Sequence, residues 1–302
     1  MKYCLGEAPI RDHDLIADVQ LIGADDFSWP RMLGRVASMA RSIVSPGKRR
    51  SSAQPSHSKR RNDLQSKAVD PGTVQTVTPR EWLRLFMLHL SIPLILLVCG
   101  GDIRWWQAWI YSLLFVAAGV GGRIWAERRH PGLMAERAGT LKASDVKAWD
   151  KVLGPLIALT LSFPLIIVAG LDHRFGWSPV FPTWLNITGI FLVALGYAFA
   201  VWAIAENRFF SSLTRIQTDR GHVVCDSGPY RIVRHPGYAG SLPPLPGIVM
   251  ALGSAWTLIP VGVALVVAVI RTAMEDRTLQ EELPGYREYA SRVRYRLFPG
   301  VY

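Results

Sequence analysis

Long apolar runs separated by basic segments constrain the fold of this chain more than any other feature. From Trp82 onward, hydrophobic stretches recur at close to the roughly 20 residues that a helix needs to cross a bilayer. We predict membrane spans near 83–100, 104–126, 152–171, 183–205, 238–253 and 255–273. The fold predicted is therefore all-α: a polytopic membrane bundle of about six transmembrane helices with a C-terminal cytoplasmic segment.

The composition agrees with a membrane protein. Half of the 302 residues are hydrophobic, and yet the formal net charge is +11. A high hydrophobic content and a high positive charge occur in one chain because the basic residues collect between the apolar runs. We expect lipids around this chain and no nucleic-acid partner.

The predicted fifth span, 238–253, differs from the others. It is short and contains Pro243, Pro244 and Pro246. Proline interrupts the hydrogen bonds of a helix, which is tolerated in a membrane where neighbouring helices cover the freed carbonyl groups. We therefore expect a kink in this span.

The distribution of positive charge predicts the topology. Of the 34 Lys and Arg residues, only Arg104 and Arg174 fall in the predicted outer connections 101–104, 172–182 and 254. Basic residues are enriched in cytoplasmic loops. We expect a multi-pass protein of a bacterial inner membrane, with both termini in the cytoplasm.

The first 81 residues differ in composition from the remainder. Ser45 to Pro79 is rich in Ser, Pro, Gln, Lys and Arg, which is too polar to bury a core. The residues after Met1 include no apolar region of the kind found in a cleaved secretory signal, so we expect no such signal. We expect a flexible basic tail over 1–81 and a transmembrane domain over 82–302.

The cysteines predict neither a disulfide framework nor a metal site. Cys4, Cys99 and Cys225 are far apart, and no C-x-x-C spacing occurs. We therefore expect no bound metal.

The segment from Gly228 to Gly240, GPYRIVRHPGYAG, carries the densest polar chemistry beside a span. Pro236 favours a first helical position, which places His235 at the entrance of a helix. Such an entrance suits an anionic group. The alternative is a basic juxtamembrane loop that leads into a helix beginning with proline.

A second polar cluster runs from Arg271 to Glu282, at the end of the last predicted span. An antiparallel hairpin would bring this cluster beside His235. Arg271 and Glu275 are four residues apart and share a helix face. An exposed salt bridge of ~0.3–0.5 kcal/mol would also explain that pair without any function.

Together, these segments resemble a known family. GPYRIVRHPGY, then the acidic pair Glu275-Asp276 after Arg271, then LPGYREYASRVRYRLFPG, resemble the isoprenylcysteine carboxyl methyltransferases. That family is related to the membrane phospholipid N-methyltransferases. The resemblance is strong over 207–302 and looser back to Trp82. Asp276 departs from the pattern, because many members have Glu there.

The resemblance implies S-adenosylmethionine-dependent methyl transfer without a Rossmann fold. The cofactor would bind at the cytoplasmic end of the last spans, with Arg271 and Glu275 as the catalytic residues. By the same resemblance, the cofactor-binding residues would be Gly228, Pro229, Tyr230, Arg234, His235, Pro236, Tyr238, Glu275 and Asp276.

The methyl acceptor would be lipophilic and would present a carboxylate or an amine at the cytoplasmic face. A carboxylate needs no general base, whereas an amine must lose a proton, for which Glu275 or His235 is the candidate. Arg271 or Arg234 could orient an anionic group of the acceptor. Two alternatives remain: an NADPH-dependent sterol-type reductase, which would need a basic phosphate pocket, and a non-enzymatic membrane scaffold.

Overall fold

The computed structural model describes residues 78–140 and 143–301. Helix makes up 72% of the structure, and no strand occurs in these ranges. The predicted all-α class is confirmed. The predicted tail, 1–81, lies outside the described residues apart from its last four positions.

The α-helices are numbered in chain order: α1 Pro79–Gly100, α2 Trp106–Val116, α3 Gly122–Arg129, α4 Leu133–Gly139, α5 Asp150–Leu161, α6 Phe163–Phe175, α7 Thr183–Glu206, α8 Pro236–Ser241, α9 Pro244–Leu252, α10 Leu258–Glu282 and α11 Tyr286–Arg292. A π-helical turn, Ala117–Gly121, joins α2 to α3, and Ser162 joins α5 to α6.

Five helical segments in the described part of the chain are long and apolar enough to cross a membrane: Pro79–Gly100, Trp106–Arg129, Asp150–Phe175, Thr183–Glu206 and Ala255–Glu282. They correspond to five of the six predicted spans. Many of their large apolar side chains are exposed, for example Leu94, Leu113, Phe191 and Val266. This exposure suits contact with lipid, and the molecule is a polytopic helical bundle.

The predicted fifth span is not one helix but two short ones. Helix α8 ends at Ser241 and α9 begins at Pro244, because the consecutive prolines 243 and 244 cannot donate the backbone hydrogen bonds of a continuous helix. Helix α7 packs along both pieces. Small residues allow this approach: a Cβ added to Gly196 would lie 2.3 Å from Pro244 Cδ.

Two helix boundaries lie beyond the predicted ones. Helix α1 begins at Pro79 because Thr78 and Glu81 form a capping box, in which the Glu81 N–H donates to Thr78 Oγ1 and the Thr78 N–H donates to Glu81 Oε2. Helix α10 continues to Glu282, well past the predicted end at 273. The acidic pair Glu275-Asp276 therefore lies within a helix rather than at its end.

The predicted outer connections lie together at one end of the bundle. His173 Nε2 is 3.2 Å from Asp102 Oδ2, and Ser254 Oγ donates to Asp172 Oδ2 at 2.5 Å. At the opposite end, Arg129 Nη2 pairs with Glu206 at 3.0 Å. The polar segments 207–235 and 283–301 also belong to that second end.

Candidate active site

The motif 228–240 is shaped by local backbone requirements. Gly228 has φ +53, in the left-handed region, and a Cβ there would lie 2.8 Å from the carboxyl carbon of Glu206. Only glycine fits both constraints. A 3₁₀ turn over Gly228–Arg231 follows, and Pro236 then opens α8 with His235 as its N-cap. The predicted helix entrance at His235 is confirmed.

The anion site expected at that entrance has no support in the structure. Helix α8 is only six residues long, so few peptide dipoles align behind its first turn. The motif is held instead by the C-terminal segment: the His235 N–H donates to the Arg296 carbonyl at 3.0 Å and the Arg234 N–H to the Tyr295 carbonyl at 2.9 Å.

Asp276 is the centre of a buried polar network. Its carboxylate is 0% exposed and accepts hydrogen bonds from Arg234 Nε at 2.8 Å and His235 Nε2 at 3.1 Å. Three more side chains donate to it: Gln280 at 2.7 Å, Arg296 at 2.9 Å and Tyr286 at 3.3 Å. With both oxygens engaged in this way, Asp276 positions Arg234 and His235 rather than facing a ligand.

Glu275, one residue earlier, has different surroundings. Its side chain is 25% exposed and lines a cavity. Glu275 Oε2 accepts from Tyr238 Oη at 2.8 Å and from Thr214 Oγ1 at 3.3 Å. Glu275 Oε1 lies 4.0 Å from His235 Nδ1. A carboxylate oxygen therefore remains available to a ligand beside the imidazole.

Arg271 pairs with Asp150, not with Glu275. Its Nε and Nη2 donate to the two oxygens of Asp150 at 2.5 and 2.8 Å, and Nη2 also donates to the Ser212 carbonyl. The Thr214 N–H donates to Asp150 Oδ2. This bidentate pair ties α5, α10 and the segment after α7 together. The exposed Arg271–Glu275 salt bridge considered from the sequence is not formed.

These groups surround a cavity of about 340 Å³. Six of the sequence-predicted residues line it: Tyr230, Arg234, His235, Tyr238, Arg271 and Glu275. The other four, Gly228, Pro229, Pro236 and Asp276, lie outside the lining and shape the loop or hold its side chains. Glu275 is the one carboxylate in the lining among the described residues.

Tyrosines form one side of the cavity. Tyr289 Oη donates to the Tyr230 carbonyl at 2.7 Å, and the rings of Tyr286 and Tyr289 meet edge to face. Burial raises the pKa of Tyr230, Tyr286 and Tyr289, with the Asp276 charge adding to the effect at Tyr286. All three are therefore neutral at physiological pH, and their rings can pack against a flat or cationic ligand.

Sequence reasoning missed several residues of the site. Asp150 offered one signal, since it is an acidic residue at the start of an apolar run, and Tyr286 and Tyr289 stand within the LPGYREY segment. Arg137, Thr214 and Arg215 lie in loops and a short helix whose approach to the cavity no periodicity reveals. The described ranges hold no group of three or more His, Cys, Asp or Glu placed for a metal ion.

The comparison with family models agrees with the resemblance read from the sequence. Residues 184–284 match the phospholipid methyltransferase family, PEMT. This range is thus similar to the phospholipid methyltransferases, the family group that includes the isoprenylcysteine carboxyl methyltransferases. The matched range contains the motif at 228–240 and the acidic pair Glu275-Asp276 of α10, but neither Arg137 nor Asp150. No curated protein matches the chain.

Proposed function

We propose that this membrane methyltransferase takes its methyl group from S-adenosylmethionine, bound in the 340 Å³ cavity, and passes it to a lipophilic acceptor. The family match indicates a membrane methyltransferase in general. The observation that carries the finer proposal is Glu275, a part-exposed carboxylate in a tyrosine-lined cavity.

The charge of the cofactor fits this environment. S-adenosylmethionine carries a cationic sulfonium, an ammonium, a carboxylate and a flat adenine. Glu275 Oε1 can accept from the ammonium or from a ribose hydroxyl, and such a charge-assisted hydrogen bond is stronger than a neutral one. The faces of Tyr230, Tyr286 and Tyr289 can pack the adenine or the sulfonium.

The acceptor is proposed to be lipophilic because apolar residues of two spans line part of the cavity. Gly154, Ile157 and Ala158 of α5 line it, as do Leu279 of α10 and Leu283 just beyond. A substrate with a hydrocarbon chain could place its head in the polar part of the cavity and its chain along α5. Entry from the bilayer would then require no passage through water.

The residues contribute mainly by alignment. When bound, the cofactor supplies an electrophilic methyl group on a cationic sulfur: the acceptor lone pair forms the new bond to carbon as the carbon–sulfur bond breaks. Holding donor and acceptor in line supplies most of the acceleration available to such a displacement. For an amine acceptor, Glu275 or His235 would take the proton that leaves nitrogen. For a carboxylate acceptor no base is needed.

The NADPH-dependent alternative is disfavoured by the arrangement of charge. A dinucleotide phosphate needs cationic side chains that are free of carboxylates. Three of the four arginines that line the cavity, Arg215, Arg234 and Arg271, are already paired with Asp or Glu, which leaves one lining arginine for the several phosphate groups of NADPH. A scaffold without a cofactor remains an outcome of the test.

Calorimetric titration of the detergent-purified protein with S-adenosylmethionine and with NADPH tests the proposal. We expect binding of the first and none of the second. Binding of NADPH alone would favour a reductase, and binding of neither would favour a scaffold. Mass spectrometry of products formed from isotope-labelled cofactor and a membrane extract would then identify the acceptor and separate carboxyl from amine methylation.

A further inference from the structure

Four arginines line the cavity, and they differ in how their charge is compensated. Arg215 contacts Glu136, Asp145 and Asp219, Arg234 pairs with Asp276 and Arg271 with Asp150. For the fourth, Arg137, the described residues provide no carboxylate. Its positive charge is the one in the lining that they leave uncompensated.

The contacts of Arg137 hold it without neutralising it. Nη1 donates to the Phe210 carbonyl at 3.3 Å, and the guanidinium lies 5.0 Å from the centre of the Phe210 ring. Ser212 Oγ donates to the backbone carbonyl of Arg137 at 3.4 Å. A carbonyl and an aromatic face satisfy part of a guanidinium that has five N–H donors.

Phe210 also locates Arg137 relative to the motif. A Cβ added to Gly237 would meet the Phe210 ring at 2.8 Å, so this ring contacts α8 as well as the guanidinium of Arg137. Arg137 and Tyr238 of α8 both line the cavity, so one bound cofactor or lipid headgroup could reach both.

The surroundings of Arg137 make an uncompensated charge costly. Burial first, and then the charges of Arg123 and Arg271, lower its pKa to about 9. At neutral pH the group is still cationic. A part-buried cation held among other cations is stabilised by an anion, and a bidentate carboxylate or phosphate has the geometry that guanidinium favours.

We propose that Arg137 is an anion subsite of the cavity, which binds a carboxylate or phosphate group of a bound molecule. The identity of that molecule rests on the proposed function: the anion is either the carboxylate of the methyl donor or an acidic group on the acceptor. Arg137 precedes the range of the family match, so the subsite is contributed by this chain outside that range.

The competing explanation is a structural one. Two hydrogen bonds join α4 to the segment 210–212, one from the Arg137 guanidinium to the Phe210 carbonyl and one from the Ser212 hydroxyl to the Arg137 carbonyl, and that role alone could retain Arg137. A structural role predicts lost stability in a variant but no dependence on whether a ligand carries an anionic group. The experiment therefore compares matched ligands that differ in that group alone.

The test uses two ligand pairs with the full chain in detergent. The first pair is S-adenosylhomocysteine and its decarboxylated analogue; the second is dodecyl phosphate and dodecanol. Affinities are measured for the wild type, for Arg137→Gln and for Arg128→Gln, the last being an exposed arginine outside the cavity. Arg137→Met, which keeps a long unbranched side chain at this position, replaces Arg137→Gln if the latter does not fold.

We expect Arg137→Gln to lower the affinity for the ligand that carries the anionic group in one pair about tenfold. The affinity for the counterpart in that pair, which lacks the anionic group, should not change. Loss in the first pair identifies the cofactor carboxylate, and loss in the second identifies an acidic acceptor. Arg128→Gln should affect neither. If neither pair shows an anion-dependent loss in folded protein, the subsite is refuted. The comparison of dodecyl phosphate with dodecanol does not require the cofactor to bind. Failure of the anion subsite can therefore be told apart from failure of the proposed methyltransferase function.

Discussion

Glu275 and Asp276 are consecutive carboxylates on α10 with opposite surroundings: Glu275 is 25% exposed at the cavity, whereas Asp276 is 0% exposed and accepts hydrogen bonds from five side chains. One residue along a helix rotates the side chain by about 100°, which suffices to move it from the cavity into the packed interior. Mutation of Asp276 should therefore affect mainly stability, whereas mutation of Glu275 should affect mainly ligand binding.

Asp276→Asn should destabilise the protein strongly. Asp276 compensates Arg234 and Arg296, and removing one partner of a buried pair leaves the other charge uncompensated, at a cost of about 3–5 kcal/mol. Thermal unfolding in detergent measures this. The matched control is Glu281→Gln, on an exposed helix position paired with Arg277, which should change stability by under about 1 kcal/mol. Equal small losses for both variants would contradict the structural role of Asp276.

The contrast between these neighbours also marks how much the sequence could predict. The helical class, five of the six spans and the convergence of His235 with the acidic pair followed from hydrophobic run length, proline placement and the hairpin. Which carboxylate faces the cavity did not follow, because that depends on the rotation of α10 against α5 and α8. The partner of Arg271 was also missed, because Asp150 is 121 residues away in the chain and no local pattern links them.

Arg271 and Asp150 should be coupled energetically. Each single variant, Arg271→Ala or Asp150→Asn, strands a buried charge, whereas the double variant removes both. We expect the double variant to be less destabilised than the sum of the singles by more than about 1 kcal/mol. A cycle of four thermal unfolding measurements tests this, and additive losses would show that the pair does not act as a unit.

His222 should make stability depend on pH. Burial, followed by the charges of Arg220 and Arg215, lowers its pKa from 6.5 to about 4 in the folded protein. The Gln217 N–H donates to His222 Nδ1 at 3.3 Å, which also favours the neutral ring. Between those two pH values the unfolded chain binds more protons, so this contribution is complete above pH 6.5 and is lost as the pH falls towards 4.

His222→Gln isolates that contribution, because other acid-sensitive groups remain in both proteins. The stability difference between wild type and variant should shrink by about 1–2 kcal/mol from pH 7 to pH 4, after allowance for the part-exposed ring. Unfolding by denaturant at a series of pH values measures it. A difference that stays constant with pH would show that His222 titrates normally.

The topology is predicted from the bias in positive charge. Reporter fusions at His222 and at the C-terminus should lie in the cytoplasm, and a fusion at His173 should lie outside. The bundle already separates these positions: His173 lies beside Asp102 at one end, and His222 lines the cavity at the other. A cytoplasmic His173 together with an external C-terminus would invert the orientation.

Glu275 is proposed to bind the methyl donor, and the cofactor affinity of matched variants provides the test. Glu275→Gln keeps the shape of the side chain but removes its charge, so affinity for S-adenosylmethionine should fall by about ten- to a hundredfold, or 1.5–3 kcal/mol. Glu281→Gln, six residues further along α10 and exposed, should leave it unchanged. Calorimetric titration of both variants, with thermal stability equal to that of the wild type, is the measurement. A large loss confined to Glu275→Gln is the predicted result. Equal small changes in both variants would contradict the assignment of Glu275 to the cofactor.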